Sequence, residues 1–186
     1  MRLINLIFIC LFLVSGIFAQ EVKTDKELKK EASLKKKEEK KAQIENQYLA
    51  TGQLLDSKSF VLEAEYLNNR SGNRIPVSSI LNFVKVDSIY GIVQIGSPQG
   101  IGYNGVGGVT AQGRIANWKL DKNDKRKTFD LYMTLSCNIG VYDIEMSVNY
   151  LGYATVSLTG LRSGKLFFEG NLYPKNESSV YKGQSY

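Results

Sequence analysis

Between residues 128 and 173 apolar side chains return at every second position. Phe129, Leu131, Met133, Leu135 and Cys137 form one set, and Tyr142, Ile144, Met146 and Val148 the next. Ala154, Val156 and Leu158 follow, then Leu166, Phe168, Gly170 and Leu172. Successive side chains of a strand point to opposite faces, so each set lines one face. Turn-forming residues at 138–140, 149–152 and 160–164 separate the sets. The pattern predicts an antiparallel meander with one buried side.

Upstream the alternation is shorter but of the same kind. Phe60, Leu62, Ala64 and Tyr66 predict a half-buried first strand, ended by a turn-rich break at 68–72. Pro76 argues against a central strand at its position, because it cannot donate to a ladder. Residues 80–86 and 89–95 are apolar on both faces and predict the most buried strands, joined tightly through Asp87 and Ser88. Six glycines fall within residues 96–108, which also hold Pro98, so a long irregular loop is expected there. Residues 109–120 form the next strand. Gly113 in its middle marks a bulge or a close backbone approach. Residues 121–127 (DKNDKRK) make an exposed hairpin loop. The fold class is therefore all-β: about eight mostly antiparallel strands in a sandwich or partly open barrel.

A charged N-terminal helix or linker precedes these strands. Residues 21–45 carry nine Lys and seven acidic side chains without Gly or Pro. Lys, Glu, Ala and Leu favour helix, but the apolar stripe is too thin for a coiled coil. Ahead of this segment, Arg2, an apolar run over residues 3–18 and Ala19 have the order of a secretory signal peptide. The organisation read from the chain is a signal peptide at 1–19, a charged helical or disordered linker at 20–50, a single β domain at 51–175 and a polar, loose tail at 176–186. The expected location is periplasmic or extracellular, with no transmembrane segment after signal cleavage.

Composition narrows the chemistry. The net charge is +6, but the basic residues are interleaved with acidic ones, so no nucleic-acid partner is expected. Cleavage would leave Cys137 as the single cysteine, a small core residue rather than a reactive thiol. The chain holds no histidine, which removes the commonest metal ligand and the usual general base. Neither a metal site, a cofactor nor a catalytic residue is assigned.

The best polar group stands on the outward face of the meander: Asp130, Asp143 and Glu145, with Tyr132, Tyr153 and Thr155. Asp143 and Glu145 lie two apart on one strand, about 7 Å between Cα atoms. That spacing suits oxygen ligation of a hard cation or a pair of glycosidase carboxylates, and equally a solvated sheet face. Tyr103 and Asn104 in the glycine loop are placed to reach a ligand. Trp118 and Arg114 are read on one strand face, and with Tyr153 they complete the candidate ligand-binding residues.

Several strings resemble one family. They are NFVKVD at 82–87, GVGGVTAQGRI at 105–115, GVYDI at 140–144, GYATV at 152–156 and GNL at 170–172. In this order they resemble the DUF4251 family of exported Bacteroidetes proteins of unknown function, over roughly residues 45–173. The resemblance implies a small secreted or envelope-associated β domain and supplies no catalytic residues. The function expected is a non-catalytic exported binding or structural module of the cell envelope. Its partner would be an unknown protein, a glycan or a small apolar ligand. Two alternatives are a small carboxylate-dependent hydrolase acting on glycans and an assembly protein pairing through a strand edge.

Overall fold

The computed structural model of the protein describes residues 24–69, 71–97, 102, 104–160 and 164–185. The expected signal peptide lies outside these residues. The chain divides into two units, Met1–Lys41 and Ala42–Tyr186.

Helix α1 (Asp25–Asp56) resolves the choice between helix and disorder for its part of the charged segment. Thr24 caps it: its backbone N–H and hydroxyl each donate to the Glu27 carboxylate at 3.0 Å, while the Glu27 N–H returns to the Thr24 carbonyl. This reciprocal pairing satisfies donors that a helix start leaves orphaned. Within the first unit every described residue is exposed.

The second unit holds the remaining turns of α1 and nine strands. These are β1 (Ser59–Asn69), β2 (Arg74–Pro76), β3 (Phe83–Asp87), β4 (Tyr90–Ile95), β5 (Val109–Asn123), β6 (Thr128–Cys137), β7 (Gly140–Asn149), β8 (Tyr153–Gly160) and β9 (Lys165–Pro174). Neighbours in space follow the order β1-β3-β4-β5-β6-β7-β8-β9, and β9 pairs back onto β1. The sheet is thus a closed eight-stranded antiparallel barrel, which settles the choice between sandwich and barrel. The short β2 adds beside the far half of β1, where β3 has ended, and Pro76 terminates it. Closure removes sheet edges, which would otherwise template unwanted pairing.

The alternation read from the sequence points into this barrel. Met133, Ile144, Val156 and Phe168 are each at most 1 % exposed, and Phe60, Leu62, Val84, Val86, Phe129 and Leu131 join them in one core. The outward positions of β6 to β8 are mostly Asp, Glu, Ser and Thr. A barrel in lipid has the reverse pattern. Among the described residues no helix is long and apolar enough to cross a membrane.

The last turns of α1 close one end of the barrel. Tyr48, Thr51, Gly52 and Leu55 share one helix face and are buried. Tyr48 stacks on Phe129 with ring centroids 4.6 Å apart, and a Cβ at Gly52 would come within 3.2 Å of the same ring. Lys122 and Lys127 hold the helix from outside by pairing with Asp56 at 2.6 Å and Glu45 at 2.7 Å. Lys58, at φ 50°, turns the chain from helix into β1.

Two bulges adjust the barrel wall. One falls between Ala64 and Tyr66 of β1, the other between Ala116 and Lys119 of β5. The second absorbs Asn117, at φ 52°, and changes which side of the strand Trp118 occupies. Gly113 serves the close approach foreseen for it: a Cβ there would lie 2.0 Å from the Ser136 carbonyl oxygen.

The tail after β9 is docked, contrary to the loose segment expected. Lys175 pairs with Asp87, the Ser178 hydroxyl donates to Glu63, and the Tyr181 N–H donates to the Ile80 carbonyl. Val61 and Phe83 point outward by alternation, yet both are fully buried, because the tail crosses this side. A tail that reads as polar is held by backbone hydrogen bonds, which leave no periodicity in the sequence.

Candidate ligand-binding face

The predicted site residues do not converge. Tyr103 lies outside the described residues. Asn104 is buried inside its loop rather than offered to a ligand: its Nδ2 donates to the Ile95 carbonyl and the Thr110 hydroxyl, and its Oδ1 accepts from the N–H groups of Val106 and Gly108. Four bonds exhaust a primary amide of this kind. Arg114 is exposed on the outer wall, its guanidinium 5.8 Å from the Tyr90 ring. The β5 bulge separates Trp118 from it: Trp118 packs against the core at the helix end, 6.3 Å from the Phe60 ring, with the Lys58 ammonium 4.9 Å from its own ring. A one-residue insertion reverses the facing of every residue beyond it, so simple alternation misassigns Trp118.

Asp143, Glu145 and Tyr153 do lie outward. Asp143 accepts from the Thr134 hydroxyl at 3.2 Å, and Glu145 stands 3.8 Å from the Lys165 ammonium. Tyr153 sits beside Arg74. Partial burial acts against the Arg74 cation, but the Glu169 carboxylate at 2.9 Å, the Tyr66 ring and the Tyr153 hydroxyl more than offset it, so its pKa stands above its ordinary value.

Strand register organises this outer wall into rows that run across the strands. One row is Lys119, Tyr132, Glu145, Ser157, Phe167 and Asn68, contributed in turn by β5, β6, β7, β8, β9 and β1. The neighbouring row is Asp121, Asp130, Ser147, Thr155, Glu169 and Tyr66. Between them, over β5 to β9, lies an open groove of about 560 Å³. Lys119 pairs with Asp121 at 2.6 Å, and the Lys165 ammonium lies 5.4 Å from the Phe167 ring. Asp130 has no ion-pair partner among the described residues.

Two atoms on the first row stand apart. Ser157 Oγ and Asn68 Oδ1 are buried without a hydrogen-bond partner, and among the described residues no other buried side-chain oxygen or nitrogen shares that state. They flank Phe167 directly, Ser157 on β8 and Asn68 on β1. A buried polar atom left unpaired within the protein costs about 1–3 kcal/mol, so each such atom calls for an explanation.

The sequence matches the family described as "Domain of unknown function (DUF4251)" over residues 25–172. The chain belongs to the DUF4251 family. The crystal structure of a DUF4251 family protein from Bacteroides eggerthii DSM 20697 is 30% identical to it. That likeness covers 75% of this chain and 95% of the other, with a TM-score of 0.61. No curated protein matches the chain. DUF4251 membership agrees with the resemblance drawn from the ordered motifs and carries no activity with it.

Of the residues singled out from the sequence, Glu145 alone among the candidate ligands lines the DUF4251 groove, beside Asp130, Tyr132 and Thr155 from the same outward set. Ser157, Phe167 and Asn68 went unnoticed. Phe167 did leave a signal, since it is an aromatic at an outward position beside inward-facing Phe168. Ser157 and Asn68 left none, because a serine or asparagine facing outward on a strand is ordinary.

Proposed function

We propose that this DUF4251 protein is a non-catalytic binding module of the cell envelope, exported by its N-terminal segment, and that it binds through the outer wall of β5 to β9. The pair of unpartnered buried atoms beside Phe167 carries this reading. A ligand seated in the groove could pair with the Ser157 hydroxyl and cover the partly buried Phe167 ring, and both changes favour the bound state. Export is supported by the basic start, apolar run and small-residue exit of residues 1–19.

Melting-temperature shifts of the protein against glycans, fatty acids, basic peptides and divalent cations test the binding role. A stabilising compound whose effect disappears in Phe167→Ser is expected. A compound whose effect survives that change, and is lost instead when Leu67 or Ile95 at the far barrel end is altered, would overturn the placement. For export, N-terminal sequencing of protein from the cell envelope should begin at Gln20. An intact Met1 on cytoplasmic protein would refute it.

A further inference from the structure

We infer that the groove over β5 to β9 takes a neutral oligosaccharide laid across the strands; this deepens the binding role proposed above and rests on it. The charges along the groove nearly balance. Lys119 is matched by Asp121, and Lys165 by Glu145, with Asp130 left over. An anionic polymer would meet the three carboxylates, and a strongly cationic one would meet the two ammonium groups. A purely apolar ligand would seal Glu145 from water without replacing its hydrogen bonds.

A sugar meets both requirements. Each ring offers neighbouring hydroxyls, which donate to a carboxylate and accept from an ammonium or hydroxyl. Each ring also offers an apolar C–H face for an aromatic side chain. Tyr132 and Phe167 bound the first row on β6 and β9, three strand spacings apart, or about 14 Å. Glu145 and Ser157 stand between them, and Asp130, Ser147 and Thr155 run alongside. An accepting carboxylate and a hydroxyl able to donate or accept therefore lie between two aromatic platforms, at a spacing set by the sheet. Ser157, 8 % exposed and without a partner in the protein, is a hydroxyl that can turn to pair with a ligand in the groove it lines.

Binding of the protein to a printed array of neutral hexose, N-acetylhexosamine and deoxyhexose oligosaccharides tests the inference, with heparin hexasaccharide, tetralysine and oleate measured alongside. Neutral oligosaccharides should bind best. Calorimetric titration with the strongest of them should show at least tenfold weaker binding in Phe167→Ala and in Tyr132→Ala, and about fivefold weaker binding in Ser157→Ala. A melting temperature no lower than that of the unaltered protein will show that these outward substitutions leave the barrel folded. Binding of tetralysine or oleate alone, lost in Phe167→Ala, overturns the sugar inference and leaves the binding face standing. Sugar binding unchanged in all three variants overturns the groove as its site. If neither the array nor the three control ligands bind, both readings fall.

Discussion

The barrel wall has two polar sides, and they are built on opposite terms. On the side of β3, β4 and the start of β5, the polar groups are buried and fully bonded. Gln94 is their hub: its amide donates to the carbonyls of Leu81 and Tyr181, and its oxygen accepts from the Thr110 hydroxyl and the Gly183 N–H. Asn104 joins through Thr110, and Asn82 clasps Gly96 from both its amide and its oxygen. The tail covers this network, and nothing in it is left wanting a partner. On the side of β6 to β9 and the far half of β1, none of the described segments is hydrogen-bonded across the strands as the tail is, and there the two unpartnered atoms sit, Ser157 on β8 and Asn68 on β1. Covered polarity in this molecule is structural, because burial without partners is costly and each group has been satisfied internally. Incomplete bonding on the open side is the observation on which the proposed binding role rests.

The largest test of that contrast is to uncover the covered side. Deleting residues 175–186 exposes Val61 and Phe83 and removes two of the four partners of Gln94. A loss of about 4 kcal/mol is expected in denaturant unfolding. A loss below about 1 kcal/mol would mean that the tail merely rests on the wall. Asn104→Ala acts on the same network without removing the tail. It strands two backbone N–H groups and should cost about 2–3 kcal/mol by the same measurement.

Tyr48 carries the comparison to the helix end, where a polar group is again covered and partnered. Its hydroxyl donates to Asp124 at 2.8 Å. Burial, with that hydrogen bond and the charges of Asp124 and Glu45, pushes its pKa up to about 12. The folded state therefore keeps this proton after the unfolded chain, near pH 10, has released it. The contribution of Tyr48 is complete below pH 10 and fades as pH rises toward 12. Tyr48→Phe should cost about 1.5 kcal/mol at neutral pH and flatten the alkaline loss of stability between pH 10 and 12, followed by circular dichroism.

The smallest effect belongs to the open side. Ser157→Ala removes a buried hydroxyl that has no internal partner, so stability should stay level or rise by up to about 1 kcal/mol. A clear loss would show that Ser157 is bonded in the folded protein, and the contrast between the two sides would fail.

Period-two spacing by itself determined the strands of the C-terminal half, their inward face and the outward carboxylates. It could do so because one face of each strand is buried, and a register slip would turn the whole apolar set to water. The exclusions drawn from having no histidine needed only composition. Tertiary structure alone decided the rest. Closure of β9 onto β1 depends on twist and strand count, which alternation does not encode. Trp118 went to the core through a bulge that one inserted residue creates. Asn104 became structural because carbonyls and hydroxyls distant in sequence reached it. Ser157 and Phe167 became neighbours by register between strands, and which hydroxyl is left without a partner depends on everything folded around it.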